Sequence, residues 1–309
     1  MVRSSKVTTS LKGGRGAFTL LELLLVMSII SISMAILLPA ASKAKRSALG
    51  LLSAARQRDT VLSVISYAMD NDERFPKSVA VRWDGRDFAW REPTLLVGFE
   101  SCCPDRSRSI SEYLRSYLKD AETMFCPSAP RKYAYLQEAW DSGDDWNHPD
   151  PETDQTADPF FGTYCFFWNY NAFLEQRNRP FRGPSMLAGG WGESKLLVSD
   201  YFGYGHWRNR FTYGTRNAYG SCEKFRRAGI TLGTPVSSDF WSVADRRQAM
   251  GRDALQVKLR AGYTDGRVEA FSSSDVLTLR VSMSYDGTTP FPGSVEPSGE
   301  FYIPRDAAP

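Results

Sequence analysis

The feature that most constrains this chain is an apolar run close to its N-terminus. Residues 19–38 include 15 apolar residues in 20, and the exceptions are Thr19, Glu22 and three serines. At about 1.5 Å rise per residue, a helix of this length spans about 30 Å, which is the thickness of the hydrocarbon core of a bilayer. Pro39 follows directly and marks the far end of the run. The sequence therefore predicts one membrane-spanning helix.

Three interpretations of this run compete. A secretory signal peptide has a shorter apolar region, usually of about 7–15 residues, and a small-residue cleavage site, for which residues 40–42 offer weak material. A plain signal anchor leaves Glu22 without a reason, because a charged group at mid-helix costs roughly 2.5–3.5 kcal/mol on insertion scales. The third interpretation takes in the sequence that precedes the run.

The positive charge of the chain is concentrated ahead of the apolar run. The formal net charge is +3, and residues 1–17 alone carry +4 with no acid, which leaves −1 for the remainder. A chain near neutrality beyond its leader lacks the basic surface expected of a nucleic-acid-binding protein. Its composition, 42% hydrophobic and 24% charged, is that of a globular protein. We therefore expect no nucleic-acid partner.

The start of the apolar run resembles a known processing site. The basic leader is followed by the string Gly16-Ala17-Phe18-Thr19-Leu20-Leu21-Glu22, by the apolar run and by Pro39. This arrangement resembles the N-terminal cleavage and methylation segment of type IV prepilins and type II secretion pseudopilins. The resemblance implies that prepilin peptidase, a membrane-embedded enzyme, cuts between Ala17 and Phe18 on the cytoplasmic side. The same enzyme then methylates the new N-terminal amine of Phe18.

The processing site departs from the family pattern at one position. The family usually has glycine immediately before the cut, where this chain has Ala17, with Gly16 one place earlier. A cut after Gly16 would move Glu22 out of its usual spacing. We favour the bond between Ala17 and Phe18, since alanine is small enough for the same slot.

Glu22 gains a role from this resemblance. Residues four apart share a helix face, so Glu22 lies beneath Phe18. The resemblance implies that Glu22 pairs with the N-terminal amine of an adjacent subunit in a helical bundle, which makes a buried carboxylate tolerable and sets the stagger between neighbours. The alternative is that Glu22 lies at the headgroup level and reaches water. The implied partners are prepilin peptidase, other pilin-like subunits and inner-membrane lipid.

The helical period continues beyond the apolar run. Apolar residues at three- and four-residue steps form one stripe, namely Leu49, Leu52, Val61, Val64, Ile65 and Ala68. We expect a helix from about Phe18 to about Asp70, curved or broken near Pro39. The predicted segments are a leader (1–17), a transmembrane assembly helix (18–39), a helix continuation that packs on the head (40–70) and a globular extracytoplasmic head (71–309).

Motifs in the head resemble a pseudopilin-like subgroup that is abundant in some environmental bacteria. They are residues 67–76, Phe125-Cys126-Pro127-Ser128, Tyr164-Cys165-Phe166-Phe167-Trp168-Asn169-Tyr170-Asn171, Leu196-Leu197-Val198-Ser199-Asp200 and Gly262-Tyr263-Thr264-Asp265-Gly266-Arg267-Val268-Glu269. The subgroup usually has histidine where this chain has Arg267 and Leu255. A role that depends on those histidines therefore does not carry over.

Four segments of the head have the composition of strands. Residues 163–170, 195–199, 255–263 and 267–271 are rich in aromatic and β-branched residues. The last two are joined through Asp265-Gly266, a hairpin signal because glycine tolerates positive φ. We expect an α+β, pilin-like fold in which the long helix packs on a small antiparallel sheet with large loops.

Candidate chemistry in the head is sparse. The sequence has two histidines in different loops, and it lacks the zinc-protease, phosphate-loop, nucleophile-elbow and Cys-x-x-Cys motifs. We therefore expect neither an enzyme nor a cofactor. One acidic segment offers hard oxygen ligands for calcium. The candidates are Asp144, Asp145, Asp150, Glu152 and Asp154. A solvated acidic loop is the favoured interpretation of the same residues.

The chain contains five cysteines, an odd number that leaves at least one unpaired. They would lie outside the cytoplasm, where disulfides persist. Cys126 and Cys165 both fall within motifs of the resemblance, which makes them the candidate pair. The alternative is that they are buried thiols acting as small apolar residues.

These observations predict a structural pseudopilin-like subunit of a type II secretion or type IV pilus-like filament. It would cross the bacterial inner membrane once, with its head in the periplasm or outside the cell. This orientation comes from the resemblance, because Lys43, Lys45 and Arg46 almost balance the leader cations. The alternative is a membrane-tethered protein that binds a carbohydrate or protein ligand, and is processed in the same way without polymerising.

Overall fold

The structure is a computed structural model. It describes residues 19–83, 88–98, 109–127, 137, 140–141, 146, 160–205, 210–213, 258–272, 275–280 and 300–308. The predicted leader, the Ala17–Phe18 processing site and the five calcium candidates lie outside the described residues. The chain divides into two units between residues 48 and 49.

The long N-terminal helix expected from the sequence is present. Helix α1 is Leu20–Asp70, a run of 51 residues with Pro39 inside it. By length and composition, α1 is long and apolar enough to cross a membrane. A second, short helix, α2, is Ile110–Leu114, and its N-cap Ser109 accepts a hydrogen bond from the Ser111 backbone N–H.

Within the described residues, fourteen strands follow α1. They are β1 Val81–Trp83, β2 Phe88–Trp90, β3 Leu95–Val97, β4 Phe160–Phe161, β5 Tyr164–Phe166, β6 Asn171–Leu174, β7 Arg179–Arg182, β8 Leu196–Asp200, β9 Phe202–Gly205, β10 Arg210–Tyr213, β11 Lys258–Tyr263, β12 Val268–Ser272, β13 Val276–Arg280 and β14 Glu300–Pro304. Strands β1 and β2 pair with each other, as do β3 and β4.

A four-stranded antiparallel sheet contains the strands that the sequence predicts. Its order is β12-β11-β8-β5. Strands β11 and β12 form the expected hairpin, in which Gly262 pairs with Val268 and Gly266 has a φ of 82°. Strand β8 lies between β11 and β5 and is buried along its whole length.

A six-stranded antiparallel sheet was not predicted. Its order is β10-β9-β14-β13-β6-β7. The pairing of β6 with β13 joins segments on either side of a long stretch of chain; next to it the Gln176 side chain bonds both the backbone N–H and the Oγ1 of Thr278, 102 positions away. Such short strands gain their stability from partners distant in sequence, so local composition does not reveal them.

Part of the predicted apolar stripe packs into the core of the second unit. Val61, Val64 and Ala68 are completely buried, whereas Leu52 is 45% exposed. At that turn of α1 the buried face consists instead of two polar residues, Ser53 and Gln57. The prediction that Leu52 packs on the head is therefore wrong, because at this turn α1 packs against a polar group of the four-stranded sheet.

Candidate functional site

The apolar segment of α1 has no protein partner among the described residues. Every leucine, isoleucine, valine and methionine from Leu20 to Leu38 is at least 43% exposed, and Leu20 is 87% exposed. A continuous apolar surface of this size is stable only against lipid or against other apolar helices. The segment therefore presents an apolar surface suited to lipid or to other apolar helices.

Glu22 caps the helix to which it belongs. Its Oε2 accepts hydrogen bonds from the backbone N–H and from the hydroxyl of Thr19, each at 2.9 Å. The Thr19 Oγ1 in turn accepts from the Glu22 backbone N–H at 3.2 Å. This reciprocal arrangement is a capping box, and its Thr-x-x-Glu pattern was readable in the sequence although the sequence analysis missed it.

The serines of the apolar segment satisfy their hydroxyls within the helix. Ser28 donates to the Leu24 carbonyl at 2.6 Å, and Ser31 donates to the Met27 carbonyl at 2.8 Å. A hydroxyl bonded four residues back exposes little polarity to a surrounding apolar phase. These serines are therefore compatible with a lipid environment.

In the second unit, three of the sequence motifs come together in the four-stranded sheet. The motif of residues 164–171 supplies β5, that of residues 196–200 is β8, and that of residues 262–269 spans the β11–β12 turn. The motif around Cys126 joins them, because the Cys126 backbone N–H donates to Thr163 Oγ1 at 2.7 Å, next to β5. The sequence could not place these four segments together.

At the centre of these motifs is one fully buried carboxylate, that of Asp200 at the end of β8. Its Oδ1 accepts from Gln57 Nε2 at 2.8 Å and from the Ser53 hydroxyl at 3.4 Å, and both residues belong to α1. Its Oδ2 accepts from the Arg260 backbone N–H of β11 at 2.9 Å. Asp200 therefore ties the helix to two neighbouring strands.

Burial controls the charge of this carboxylate. Desolvation raises the pKa of Asp200 to about 6, and the charge and backbone N–H of Arg260, with the Ser53 and Gln57 bonds, hold it from rising further. The Gln57 Oε1 atom, also buried, has no hydrogen-bond partner among the described residues. A protonated Asp200 has one donor to offer, and the Gln57 amide has one unsatisfied acceptor close to it.

A tyrosine completes the polar cluster. The Tyr164 hydroxyl lies 2.9 Å from Ser53 Oγ, and burial raises the pKa of Tyr164 well above its usual range. Tyr164 is therefore a neutral hydrogen-bonding group between β5 and α1. Since Asp200 and Tyr164 are completely buried, this cluster fastens the helix and is closed to a substrate.

Two glycines allow the helix and sheet to approach closely. A Cβ added at Gly262 of β11 would lie 2.6 Å from Cγ2 of Val61 and 2.9 Å from Cγ1 of Val198. A Cβ added at Gly50 of α1 would lie 2.8 Å from an Nη atom of Arg260. The lack of a side chain at Gly50 and Gly262 therefore lets α1 lie close to β11, next to the hydrogen bonds of Asp200.

Arg267 has a structural place at the β11–β12 turn. Its guanidinium lies over the Tyr263 ring at 4.3 Å from the centroid and makes longer ion pairs with Asp265 and Glu269, at 3.5 and 3.7 Å. The Tyr263 hydroxyl donates to the Asp306 carboxylate at 3.1 Å. Arg267 therefore packs against the β11–β12 turn.

The candidate disulfide is not formed. Cys126 and Cys165 are not bonded to each other, and 2% and 1% of their surfaces are exposed. The alternative interpretation, that they pack as small apolar residues, describes them in the structure. Burial raises the pKa of Cys165 well above its usual range, which makes its thiol unreactive.

No group of three or more His, Cys, Asp or Glu that could hold a metal ion occurs within the part of the chain that the structure describes. Comparison with protein-family models, with curated proteins and with solved structures found no match to this chain. The function must therefore be argued from the exposed apolar helix segment and from the buried polar junction.

Proposed function

We propose that this chain is a structural, non-catalytic, pseudopilin-like subunit of a type II secretion or type IV pilus-like filament. The single observation that carries the proposal is the apolar, exposed segment of α1 that begins with Thr19 and Glu22 and directly follows the basic leader. In this proposal prepilin peptidase removes the leader at Ala17 and methylates Phe18. The mature subunit is stored in the bacterial inner membrane with its head on the far side.

The capping box supports the storage step. A carboxylate in a bilayer is costly, and two hydrogen bonds from Thr19 reduce that cost while the first backbone N–H groups of the helix are also satisfied. The partial positive charge at the helix N-terminus favours the carboxylate further. Glu22 is then available to exchange Thr19 for the N-terminal amine of a neighbouring subunit on assembly.

The buried contacts between α1 and the four-stranded sheet support a structural role for the chain. A subunit that holds its head on a shared helical core must transmit force from helix to head. In the second unit the bonds of Asp200 and the completely buried side chains of Val61 and Val64 fix the end of α1 to the four-stranded sheet. Arg56 adds a second fastening, since its guanidinium donates to the Phe125 carbonyl at 3.0 Å and to Glu122 at 2.7 Å.

Photo-crosslinking in membranes tests assembly. A photoreactive residue at Leu24, Met27 or Ile36, each more than half exposed, is expected to give a ladder of crosslinked copies in cells that express the assembly system. The same residue at Leu51, which is 69% exposed but lies beyond the apolar segment, is the control for random collision. Only monomers at all three positions would contradict the filament and favour the membrane-tethered alternative.

A further inference from the structure

A cavity of about 340 Å³ opens on the head beside strands β6 and β7. This volume is at the small end of the range for small-molecule sites, about 300–1,000 Å³, and suits one or two sugar-sized units. Trp90, which is buried, forms part of the wall. Gly183 forms another part, and a Cβ there would collide with the Phe167 carbonyl oxygen, so the wall at Gly183 is bare backbone.

The charged residues at the cavity leave an excess of positive charge. Lys77 and Arg182 line it together with one acid, Glu193. Glu193 is already engaged: its carboxylate accepts from the Ser185 hydroxyl at 2.5 Å and from the backbone N–H groups of Ser185 and Gly190 at 3.0 and 2.9 Å. The guanidinium of Arg182 has no ion pair within the described residues. An anionic ligand is therefore favoured over a neutral or cationic one.

Two asparagine amides line the cavity as well. Asn169 has a φ of 48°, and its Nδ2 donates to the carbonyls of Phe75 and Pro76 at 2.9 and 2.8 Å. These bonds hold the segment that carries Lys77 against the cavity. Asn171 occupies the first position of β6, paired with Arg182 of β7. Amide groups beside cations suit a ligand that carries hydroxyl groups and a carboxylate.

A tryptophan stands in solvent on the loop that borders the cavity. Trp191 is 99% exposed, whereas Trp90, Trp140, Trp146 and Trp168 are each at most 5% exposed. Gly189 and Gly192, with φ of 75° and 72°, turn the loop around it. Glu193 clamps the loop from inside through the Gly190 N–H. The Trp191 ring is therefore exposed to solvent, and Trp191 lies two positions before Glu193, which lines the cavity.

We propose that this cavity and Trp191 form a binding site for an acidic oligosaccharide, of the kind built from uronic acid units. The carboxylate of one unit pairs with Arg182, and Lys77 adds positive charge to the same wall. A sugar hydroxyl donates to the Asn169 amide oxygen, because the Asn169 Nδ2 already donates to two backbone carbonyls. The apolar face of the next unit stacks on the Trp191 ring, since a sugar ring presents C–H groups on one face and an indole presents a flat apolar surface. The site does not depend on whether the chain assembles into a filament.

Binding to the full chain in detergent solution tests this proposal. Calorimetric titration with a galacturonate tetramer and with a neutral glucose tetramer is expected to show binding of the acidic sugar, at least about tenfold weaker binding of the neutral one, and loss of affinity on adding salt. Equal affinity for the two sugars, or no binding of the acidic sugar by folded protein, would overturn the proposal.

Two variants locate the site. Trp191→Ala and Arg182→Gln are each expected to weaken binding of the acidic tetramer by about tenfold or more. The matched controls are Met69→Ala and Arg58→Gln, exposed residues of α1 that do not line the cavity. Because Trp191 is fully exposed, its replacement should leave the unfolding temperature unchanged. Unaltered affinity in Trp191→Ala would exclude the stacking contact and overturn the site.

Discussion

Asp200 is the residue whose surroundings differ most from those of an ordinary carboxylate. It is completely buried, yet each of its oxygens accepts hydrogen bonds, from a helix on one side and a strand on the other. Burial disfavours its charged form and raises its pKa to about 6. A group whose pKa is raised on folding contributes stability at low pH and loses that contribution as the pH rises through the folded-state value.

Replacing Asp200 with asparagine should remove this pH dependence. Because the pKa rises from an ordinary value of 3.8 to a folded value of about 6, the contribution is full below about pH 4. It declines between about pH 4 and pH 6, by about 3 kcal/mol in total, and is absent at higher pH. We expect the free energy of unfolding of the unmodified chain to fall by that amount relative to Asp200→Asn between pH 4 and 7. Denaturant unfolding in detergent at several pH values measures it.

In Asp200→Asn the amide oxygen can accept from the Arg260 N–H. The amide nitrogen then replaces the oxygen that accepts from Gln57 Nε2, and it donates to Gln57 Oε1 once the Gln57 amide turns over. Asp59→Asn, on the exposed surface of α1, is the matched control substitution. A constant difference between the unmodified chain and Asp200→Asn across this pH range would show that Asp200 does not titrate there.

At the scale of the element, α1 has two distinct tasks along its length. Its first part exposes apolar side chains continuously, and its serines bond their own backbone. In the second unit, its buried face changes from polar at Ser53 and Gln57 to apolar at Val61 and Val64. The helical period of apolar residues predicts the buried face of α1 at Val61 and Val64, where α1 packs against an apolar surface. It does not predict the buried face at Ser53 and Gln57.

Two substitutions separate the capping role of Glu22 from its charge. Glutamine at this position preserves a capping box, whereas alanine abolishes it. If Glu22 pairs with a neighbouring amine, both Glu22→Gln and Glu22→Ala should fail to assemble, as measured by crosslinked ladders from Met27. Capping alone predicts that Glu22→Gln assembles normally while Glu22→Ala loses about 0.5–2 kcal/mol of helix stability. Normal assembly of Glu22→Gln would therefore remove the intersubunit role.

Packing of α1 on the sheet should be sensitive to a single methyl group at Gly262. In Gly262→Ala the added Cβ would overlap Val61 and Val198, which should destabilise the chain by about 1–3 kcal/mol in denaturant unfolding. Val61→Ala removes one of the two colliding groups. The double variant should therefore be more stable than the sum of the single effects implies. Strict additivity would show that α1 does not press on β11 at this point.

At the scale of the whole molecule, the described parts include one long helix, a four-stranded and a six-stranded antiparallel sheet, and two further strand pairs. The β11–β12 hairpin could be predicted because the two strands are adjacent in sequence and joined by Asp265-Gly266, whereas no local signal indicated that β8 and β5 extend the same sheet. The six-stranded sheet could not be predicted, because β6 pairs with β13, which is far from it in sequence. Asp200 was visible as an acid ending a buried apolar strand, but its partners Ser53 and Gln57 are more than 140 positions away.

The most direct test of the account is mass spectrometry of the mature N-terminus, from protein purified out of bacteria that contain a prepilin peptidase. The account predicts a chain that begins with methylated Phe18 and lacks the 17 residues before it, and an unprocessed chain when Phe18 and Ala17 are both replaced by bulky charged residues. An intact Met1 in the native protein, in the presence of active peptidase, would contradict the central claim.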